Sequence, residues 1–176
     1  MTRGENQPAS RVAHPLSPVF DRRSQVLILG TMPSPGSRAQ GFYYSHPQNR
    51  FWPVLADVLA APLPVTNEQK RQLLLTHKIA LWDVLASCEI QGASDSSIRN
   101  AVPNDLNRIF SAAPIRAVFT TGATAERFYR RFWGESIGLP LIPLPSTSPA
   151  NARWGRAALA QRYRLLLEHL DEGRPL

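Results

Sequence analysis

Short apolar runs that alternate with segments of helical spacing constrain the fold of this chain more than any other feature. VLILG at 26–30 and IALWDVL at 79–85 are typical of buried strands, and two further runs occur at 115–122 and at the start of 139–151. Helical patterns lie between and after these runs, at 51–61, 66–77, 103–113, 123–133 and 154–170. This alternation predicts an α/β fold, in which helices cover both faces of a parallel sheet.

The chain of 176 residues is long enough for one domain with a substantial core. Residues 1–22 are polar and contain several prolines, so we expect a flexible N-terminal arm followed by a single domain over 23–176. No apolar run reaches the roughly 20 residues of a membrane span, and no apolar segment typical of a secretion signal occurs near residue 1. We therefore expect a cytoplasmic protein without a membrane partner, and we expect a monomer.

The charge is strongly basic and is almost entirely due to arginine. The net charge is +7, and the basic residues are eighteen Arg and two Lys. Arginine binds phosphate through paired hydrogen bonds and stacks on bases, so this balance favours a nucleic-acid partner. A GC-rich genome is an alternative explanation of the Arg-to-Lys ratio, although it leaves the net charge unexplained.

Several classes of chemistry lack the residues that they need. The single cysteine, Cys88, excludes an internal disulfide and an iron–sulfur cluster. The four histidines, which are His14, His46, His77 and His169, lie far apart in sequence. Neither a phosphate-binding glycine motif nor a G-x-S-x-G motif occurs. We expect no metal and no cofactor, and we expect a structural role for His46.

The aromatic-rich stretch GTMPSPGSRAQGFYYSHPQNRFW at 30–52 begins at the end of the first predicted strand. Its Gly and Pro content argues against a helix or a strand, and parallel α/β sheets bind ligands beyond the carboxyl ends of their strands. The loops after 26–30, 79–85 and 139–146 should meet at that edge. Rings, amides and hydroxyls there suit a pocket for a planar heterocycle, whereas the alternative is that residues 42–44 only cover the end of the sheet.

Two separated motifs carry a family resemblance. LILGTMPSPGSRAQGFYYSHPQNRFWPVL and LPSTSPANAR, with ALWDVLASCEIQGASDSSI and AVFTTGATA between them, resemble the uracil-DNA glycosylase superfamily, and within it the hypoxanthine-DNA (deoxyinosine) glycosylase branch, the sixth family. The resemblance runs from about residue 24 to 170. It implies a three-layer α/β/α sandwich with a central parallel four-stranded sheet. It also implies an enzyme that removes a deaminated base from double-stranded DNA in base-excision repair and needs no metal.

The resemblance further implies roles for individual residues. Met32 occupies the position at which mismatch-specific relatives have a water-orienting Asn, and the hypoxanthine branch uses instead an Asn that corresponds to Asn49. Tyr44 occupies the position of the aromatic that stacks on the flipped base. The implied base pocket contains Thr31, Met32, Pro33, Tyr44, Asp83 and Ser146, and the implied DNA-binding residues are Ser34, Arg50, Thr147, Ser148, Pro149, Ala150, Asn151 and Arg153. Ala150 stands at the wedge position but is small, so Asn151 or Arg153 is the alternative wedge.

Asp83 ends a predicted strand near the position at which classical uracil enzymes bind the edge of the base. An ionised carboxylate only accepts hydrogen bonds, so it suits the N1–H of hypoxanthine and repels the N1 lone pair of adenine. The alternative is that Asp83 caps a turn or pairs with an arginine.

A lyase step needs a lysine amine, and because Lys70 and Lys78 lie outside the motifs we expect a monofunctional glycosylase.

Three other functions stay open at this point. A mismatch-specific uracil or thymine glycosylase belongs to the same superfamily. A nucleic-acid-binding relative that has lost its activity is compatible with Met32 in the first motif. A small nucleoside-hydrolysing enzyme fits the predicted sheet, although it has no need of a long basic surface.

Overall fold

The computed structural model describes residues 8–134 and 136–171. Its strands are β1 (Ser10–Ala13), β2 (Val26–Gly30), β3 (Ile79–Asp83), β4 (Leu85–Ile90), β5 (Arg99–Pro103), β6 (Ala117–Thr121) and β7 (Leu141–Leu144). Its α-helices are α1 (Pro35–Gln40), α2 (Phe51–Leu59), α3 (Asn67–Thr76), α4 (Asn107–Phe110), α5 (Ala123–Phe132) and α6 (Arg156–Tyr163), and 3-10 helices cover Asp95–Ser97 and Arg164–His169. None of these helices has the length and apolar character needed to cross a bilayer.

The centre of the fold is a four-stranded sheet in the order β3-β2-β6-β7, and all three pairings are parallel. Every residue of β2 and β3 is buried, as is typical of a parallel sheet with both faces covered. This double burial explains why the strands are visible in the sequence as nearly continuous apolar runs. The predicted α/β class and the central parallel four-stranded sheet are confirmed.

A second sheet, which the sequence analysis did not predict, is antiparallel and has the order β1-β4-β5. It changes the interpretation of the N-terminus, because β1 pairs with β4 along its whole length. Val19 then forms an isolated bridge with Leu81 of β3 and is fully buried. The expectation of a flexible arm over residues 1–22 is therefore wrong from residue 10 onward, and residues 1–7 lie outside the described part of the chain.

The helices form close to their predicted positions, but two of them are clearly shorter than predicted. α3 begins after Thr66, whose hydroxyl accepts the Gln69 N–H while the Gln69 side chain accepts the Thr66 N–H, which completes a capping box. The predicted helix over 103–113 is shorter than expected, because β5 extends to Pro103 and only Asn107–Phe110 is α-helical.

The C-terminal segment departs from a single helical period. The helix predicted over 154–170 is α-helical only to Tyr163 and continues as a 3-10 helix. Because a 3-10 helix repeats every three residues, the apolar face shifts: Leu166 is buried, but Leu167 is 43% exposed.

A short helix also forms where the Gly and Pro content argued against one. Ser34 caps α1 by accepting the Ser37 N–H, Pro35 occupies the first turn, and Gly41 ends the helix in the left-handed region at φ 72°. The glycines and prolines of this loop are thus placed at the ends of a short helix. The expectation of an entirely irregular loop is wrong for Pro35–Gln40.

Candidate active site

A cleft of about 570 Å³ lies at the carboxyl edge of the parallel sheet. The three loops that were expected to meet there all contribute to its wall, through residues that follow β2, through Asp83 at the end of β3, and through residues 146–148, 150 and 151 after β7. Thr121, the last residue of β6, completes this edge. The cleft therefore lies at the edge of the sheet where these loops were expected to meet.

Most of the predicted site residues line this cleft. They are Thr31, Met32, Pro33, Ser34, Tyr44, Asn49, Asp83, Ser146, Thr147, Ser148, Ala150 and Asn151. Pro149 and Arg153 are exposed and do not belong to its wall. The structure brings residues of both motifs together, while their contacts with DNA stay predictions.

Gly30 forms the most crowded part of the cleft. A Cβ atom at this position would lie 2.5 Å from Oδ1 of Asp83, 2.9 Å from the Tyr44 hydroxyl and 3.6 Å from Oγ1 of Thr121. The side chains of Asp83, Tyr44 and Thr121 therefore converge on the Cα atom of Gly30. Only glycine leaves room for them.

The three consecutive aromatics of the loop occupy different environments. Phe42 and Tyr43 are at most 5% exposed and belong to the hydrophobic core, as the alternative of a cover for the sheet implied. Tyr44 has a positive φ of 52°, a conformation uncommon outside glycine that is often found at functional sites. Its ring stacks on Phe51 with the centroids 4.0 Å apart, and its hydroxyl lies 2.9 Å from Oγ1 of Thr121.

The Tyr44 phenol stays neutral in this environment. Burial raises the pKa of Tyr44 well above its usual value, and the charge of Asp83 adds to the shift. Phe51 already covers one face of the ring, so a flipped base would have to stack on the other face. This stacking role stays a prediction.

Asn49 connects the two motifs. Its Oδ1 accepts hydrogen bonds from the backbone N–H of Phe51 (2.9 Å) and from the hydroxyl of Thr147 (2.8 Å). A backbone N–H can only donate, so the bonded atom is the oxygen and the orientation of the amide is determined. Both lone pairs of Oδ1 are used, and no residue in the described part of the chain accepts a hydrogen bond from the Nδ2 amino group. Thr147 is only 2% exposed, so its hydroxyl serves Asn49 and not the protein surface.

Arg50 holds the second motif in place. Its guanidinium donates to the carbonyls of Ser148 (2.9 Å), Asn151 (3.0 Å) and Trp154, and its backbone N–H donates to the carbonyl of Thr147 (3.2 Å). These bonds occupy most of its donors. The DNA contact expected of Arg50 stays a prediction, whereas a role in ordering the loop follows from the bonds themselves.

Asp83 is 3% exposed and pairs with a residue that the sequence analysis did not place in the site. Nε2 of His14 lies 2.7 Å from Oδ2 of Asp83, and the His14 side chain is 2% exposed. Among the described residues the side-chain partner of Asp83 is thus a histidine, and neither alternative, a turn cap or an arginine pair, is observed. The two residues are 69 positions apart, and no sequence pattern links them.

A further loop that was not assigned to the site also lines the cleft. Residues 92–96, which lie between β4 and β5, contribute backbone and polar side chains to its wall. Desolvation raises the pKa of the Asp95 carboxyl, Arg127 opposes this shift, and the charge of Asp83 adds to it. The composition GASDSS is typical of a polar turn, but it carries no sign of where that turn lies in the fold.

Comparison with known proteins identifies the class. A profile of the Uracil DNA glycosylase superfamily matches residues 17–170, so the chain belongs to this superfamily of DNA glycosylases, as its motifs predicted. A hypoxanthine DNA glycosylase from Methanosarcina barkeri is 35% identical over 138 residues, which cover 77% of this chain and 86% of the relative. A hypoxanthine DNA glycosylase from Methanosarcina acetivorans is 31% identical over 140 residues, which cover 78% of this chain and 87% of the relative.

The fold has a solved counterpart. A proposed uracil DNA glycosylase from Methanosarcina acetivorans, determined by solution NMR, superimposes with a TM-score of 0.75 at 28% sequence identity. The match covers 88% of this chain and 98% of that one. The α/β architecture around the cleft is therefore shared with that protein.

Proposed function

We propose that this protein is a monofunctional DNA glycosylase that excises hypoxanthine from double-stranded DNA. The observation that carries the proposal is the buried Asp83 carboxylate, whose Oδ2 is held by His14 while Oδ1 lies beside Gly30 on the cleft. The two Methanosarcina relatives, both named hypoxanthine DNA glycosylase, support the choice of base.

Asp83 offers a chemical basis for selecting the deaminated purine. Adenine presents a lone pair at N1, and its deamination product hypoxanthine presents N1–H. A carboxylate oxygen accepts that N–H and repels the lone pair. A buried polar group that bonds to hypoxanthine is left without a partner when adenine binds, and a site of this kind discriminates strongly against the base that leaves it unpaired.

The base must leave the duplex to reach Asp83. Unstacking and unpairing cost a few kcal/mol, and the cost is smaller at a weakly paired lesion. Stacking on the free face of Tyr44 would return roughly 1–3 kcal/mol. The cleft volume of about 570 Å³ lies within the usual range for small-molecule sites and is large enough for a purine.

Hydrolysis exchanges the C1′–N9 bond of the nucleotide for a C1′–O bond. The electron pair of the broken bond leaves with the purine, water supplies the oxygen, and the proton of that water passes to the purine or to solvent. Asn49 lines the cleft, its Nδ2 donates to none of the described residues, and this group would hold the water beneath C1′. Positioning of this kind accounts for most of the acceleration when the sugar carries the developing positive charge.

The positions of the two lysines, outside the cleft, support a glycosylase without lyase activity. Neither Lys70 nor Lys78 lines the cleft. Lys78 directly precedes β3, so it lies at the amino end of the sheet, opposite the edge that carries Asp83. The product should therefore be an intact strand with an abasic site.

The exposed residues of the second motif are the ones available to bind the duplex. Asn151 donates from Nδ2 to the carbonyl of Ser146 (2.9 Å), so its side chain is tied to the loop. Arg153 is exposed. Of the two alternatives to Ala150 as the wedge, we therefore favour Arg153.

A duplex with a single deoxyinosine tests the proposal directly. We expect release of free hypoxanthine, detected by chromatography, and strand cleavage only after hot alkali. Strand breaks without alkali would contradict the absence of lyase activity. No base release from any deaminated duplex, together with tight DNA binding, would favour the inactive DNA-binding alternative.

Uracil is the second candidate base, and Oδ1 of Asp83 can also accept a hydrogen bond from it. Uracil carries an N3–H where cytosine has a lone pair, so a carboxylate acceptor suits both deamination products. Parallel assays with deoxyuridine opposite guanine decide between them. Faster release of uracil than of hypoxanthine would make this protein a mismatch-specific uracil glycosylase.

A further inference from the structure

The histidine that holds Asp83 comes from the N-terminal segment, outside both motifs. Directly after β1, the His14 N–H donates to the carbonyl of Ala86 (2.7 Å), which fixes the backbone at this point. The imidazole is thereby placed against Asp83, and both side chains are at most 4% exposed. Solvent has almost no access to the pair, so the protein alone sets its geometry.

The hydrogen-bond pattern determines which ring nitrogen of His14 carries the proton. The backbone N–H of Leu16 donates to Nδ1 (3.2 Å), and an N–H cannot accept. Nδ1 therefore presents a lone pair, and the hydrogen of the neutral ring is on Nε2, which donates to Oδ2 of Asp83 (2.7 Å). Oδ1 of Asp83 keeps its lone pairs for a ligand.

We propose that His14 is the positioning residue that makes Asp83 selective for deaminated bases. The inference rests on the proposed function and extends it to a residue outside the family motifs. Deamination converts a ring nitrogen with a lone pair into the N–H of a lactam, in both adenine and cytosine. With Oδ2 held by His14, Oδ1 is turned toward Gly30 and the cleft, where one acceptor distinguishes the two forms.

A neutral partner is important for this selectivity. An arginine would cancel the charge of Asp83, whereas neutral His14 orients the carboxylate and leaves its charge in place. The charge of Asp83 also acts on two other residues of the cleft wall, Tyr44 and Asp95. Desolvation is the main cause of their raised pKa values, and the charge of Asp83 raises both further. The N1 lone pair of adenine would face this charge directly, so the group that attracts hypoxanthine repels adenine.

Two substitutions separate the hydrogen bond from the imidazole. His14→Gln keeps a side-chain N–H at about the reach of Nε2, whereas His14→Asn reaches only the position of Nδ1 and loses the donor to Asp83. His77→Asn is the matched control, because His77 lies at the C-terminal end of α3 and bonds to the Leu73 carbonyl. Binding is measured by fluorescence anisotropy with duplexes that carry 2′-fluoro-2′-deoxyinosine or 2′-fluoro-2′-deoxyadenosine, which resist hydrolysis. Both stand opposite an abasic-site analogue, so that neither loses a base pair.

The result is the ratio of the two dissociation constants, adenine over hypoxanthine. We expect a ratio well above one for the wild type, a decrease of about tenfold or more in His14→Asn, and nearly wild-type ratios in His14→Gln and His77→Asn. A wild-type ratio of one would overturn the proposed function. A high wild-type ratio that persists in His14→Asn would overturn the role of His14 alone.

A second measurement does not depend on whether the variants fold. In wild-type protein labelled with ¹⁵N at histidine, we expect His14 to show an unprotonated Nδ1 and a protonated Nε2. A proton on Nδ1 would mean that Leu16 does not donate to the ring, and it would overturn the inference.

Discussion

The hydroxyl of Thr147 lies 2.8 Å from Oδ1 of Asn49 and joins two loops that are 98 residues apart in sequence. Thr147 is buried, and its hydroxyl donates, since Oδ1 is the acceptor. Together with the Phe51 N–H, it fixes the amide of Asn49, whose Nδ2 donates to no residue that the structure describes. Thr147 of the second motif therefore helps to orient the Asn49 amide of the first motif.

Thr147→Val removes the donor and keeps the shape of the side chain. We expect base release in single-turnover assays to slow about tenfold, because the Asn49 amide loses one of its two anchors. Thr147→Ser retains the hydroxyl and should stay close to the wild-type rate. A loss in Thr147→Ser with a normal rate in Thr147→Val would show that packing of the methyl group, and not the hydrogen bond, is what matters.

Asn49→Asp tests which kind of hydrogen bond the attacking water needs. The carboxylate can still accept from Phe51 and Thr147, but it has no N–H to replace Nδ2. We expect Asn49→Asp and Asn49→Ala to lose activity about 100-fold or more while DNA affinity stays near the wild-type value. If Asn49→Asp is as fast as the wild type, the water needs an acceptor, and the proposed role of Nδ2 is wrong.

Gly30→Ala places a methyl group where there is no room. Its Cβ would lie 2.5 Å from Oδ1 of Asp83, which cannot move freely because His14 holds the other oxygen. We expect a loss of about 1–3 kcal/mol in the free energy of unfolding and a large loss of base release. Gly36→Ala is the control, since its nearest atom is Oγ of Ser34 at 3.9 Å. A harmless Gly30→Ala would contradict the crowded geometry.

The parallel sheet and its ligand edge could be predicted because burial on both faces leaves a strong signal. β2 and β3 are buried at every position, so their sequences are apolar throughout and their ends are clear. The loops at those ends follow from the direction of the strands alone. Thr66 was likewise predictable as a cap, because a capping box involves neighbouring residues only.

The antiparallel sheet and the partner of Asp83 could not be predicted in this way. β1 is mostly exposed and β4 is only partly buried, so neither shows a continuous apolar run. Their pairing, and with it the position of His14, depends on a register between distant segments that the spacing of residues does not encode. The exposure of Leu167 was missed because the change from an α-helix to a 3-10 helix leaves no clear trace in composition.

Arg50→Lys separates a scaffolding role from a DNA contact. Lysine cannot reach the three carbonyls that the guanidinium joins, so we expect the free energy of unfolding to fall by about 2 kcal/mol, as measured by urea denaturation. Arg153→Ala, at an exposed position, should leave stability unchanged and reduce the slope of log affinity against log salt by about one. The reverse pattern, a reduced slope and normal stability for Arg50→Lys, would make Arg50 a phosphate contact.

The last described residue, Asp171, should give the protein an acid-sensitive component of stability. Its carboxylate accepts from the Arg116 guanidinium (2.7 and 2.9 Å) and from Gln25 (2.8 Å), and these bonds lower the pKa of Asp171 to about 2. Its pKa in the unfolded chain is about 4, so the contribution is fully present above about pH 4 and is lost as the pH falls toward 2.

Asp171→Asn should therefore flatten the pH dependence of the free energy of unfolding between about pH 4 and pH 2, the interval between the two pKa values. Arg116→Gln removes the main partner and should flatten the same interval. Parallel curves for wild type and both variants would show that Asp171 does not bond to Arg116 in solution.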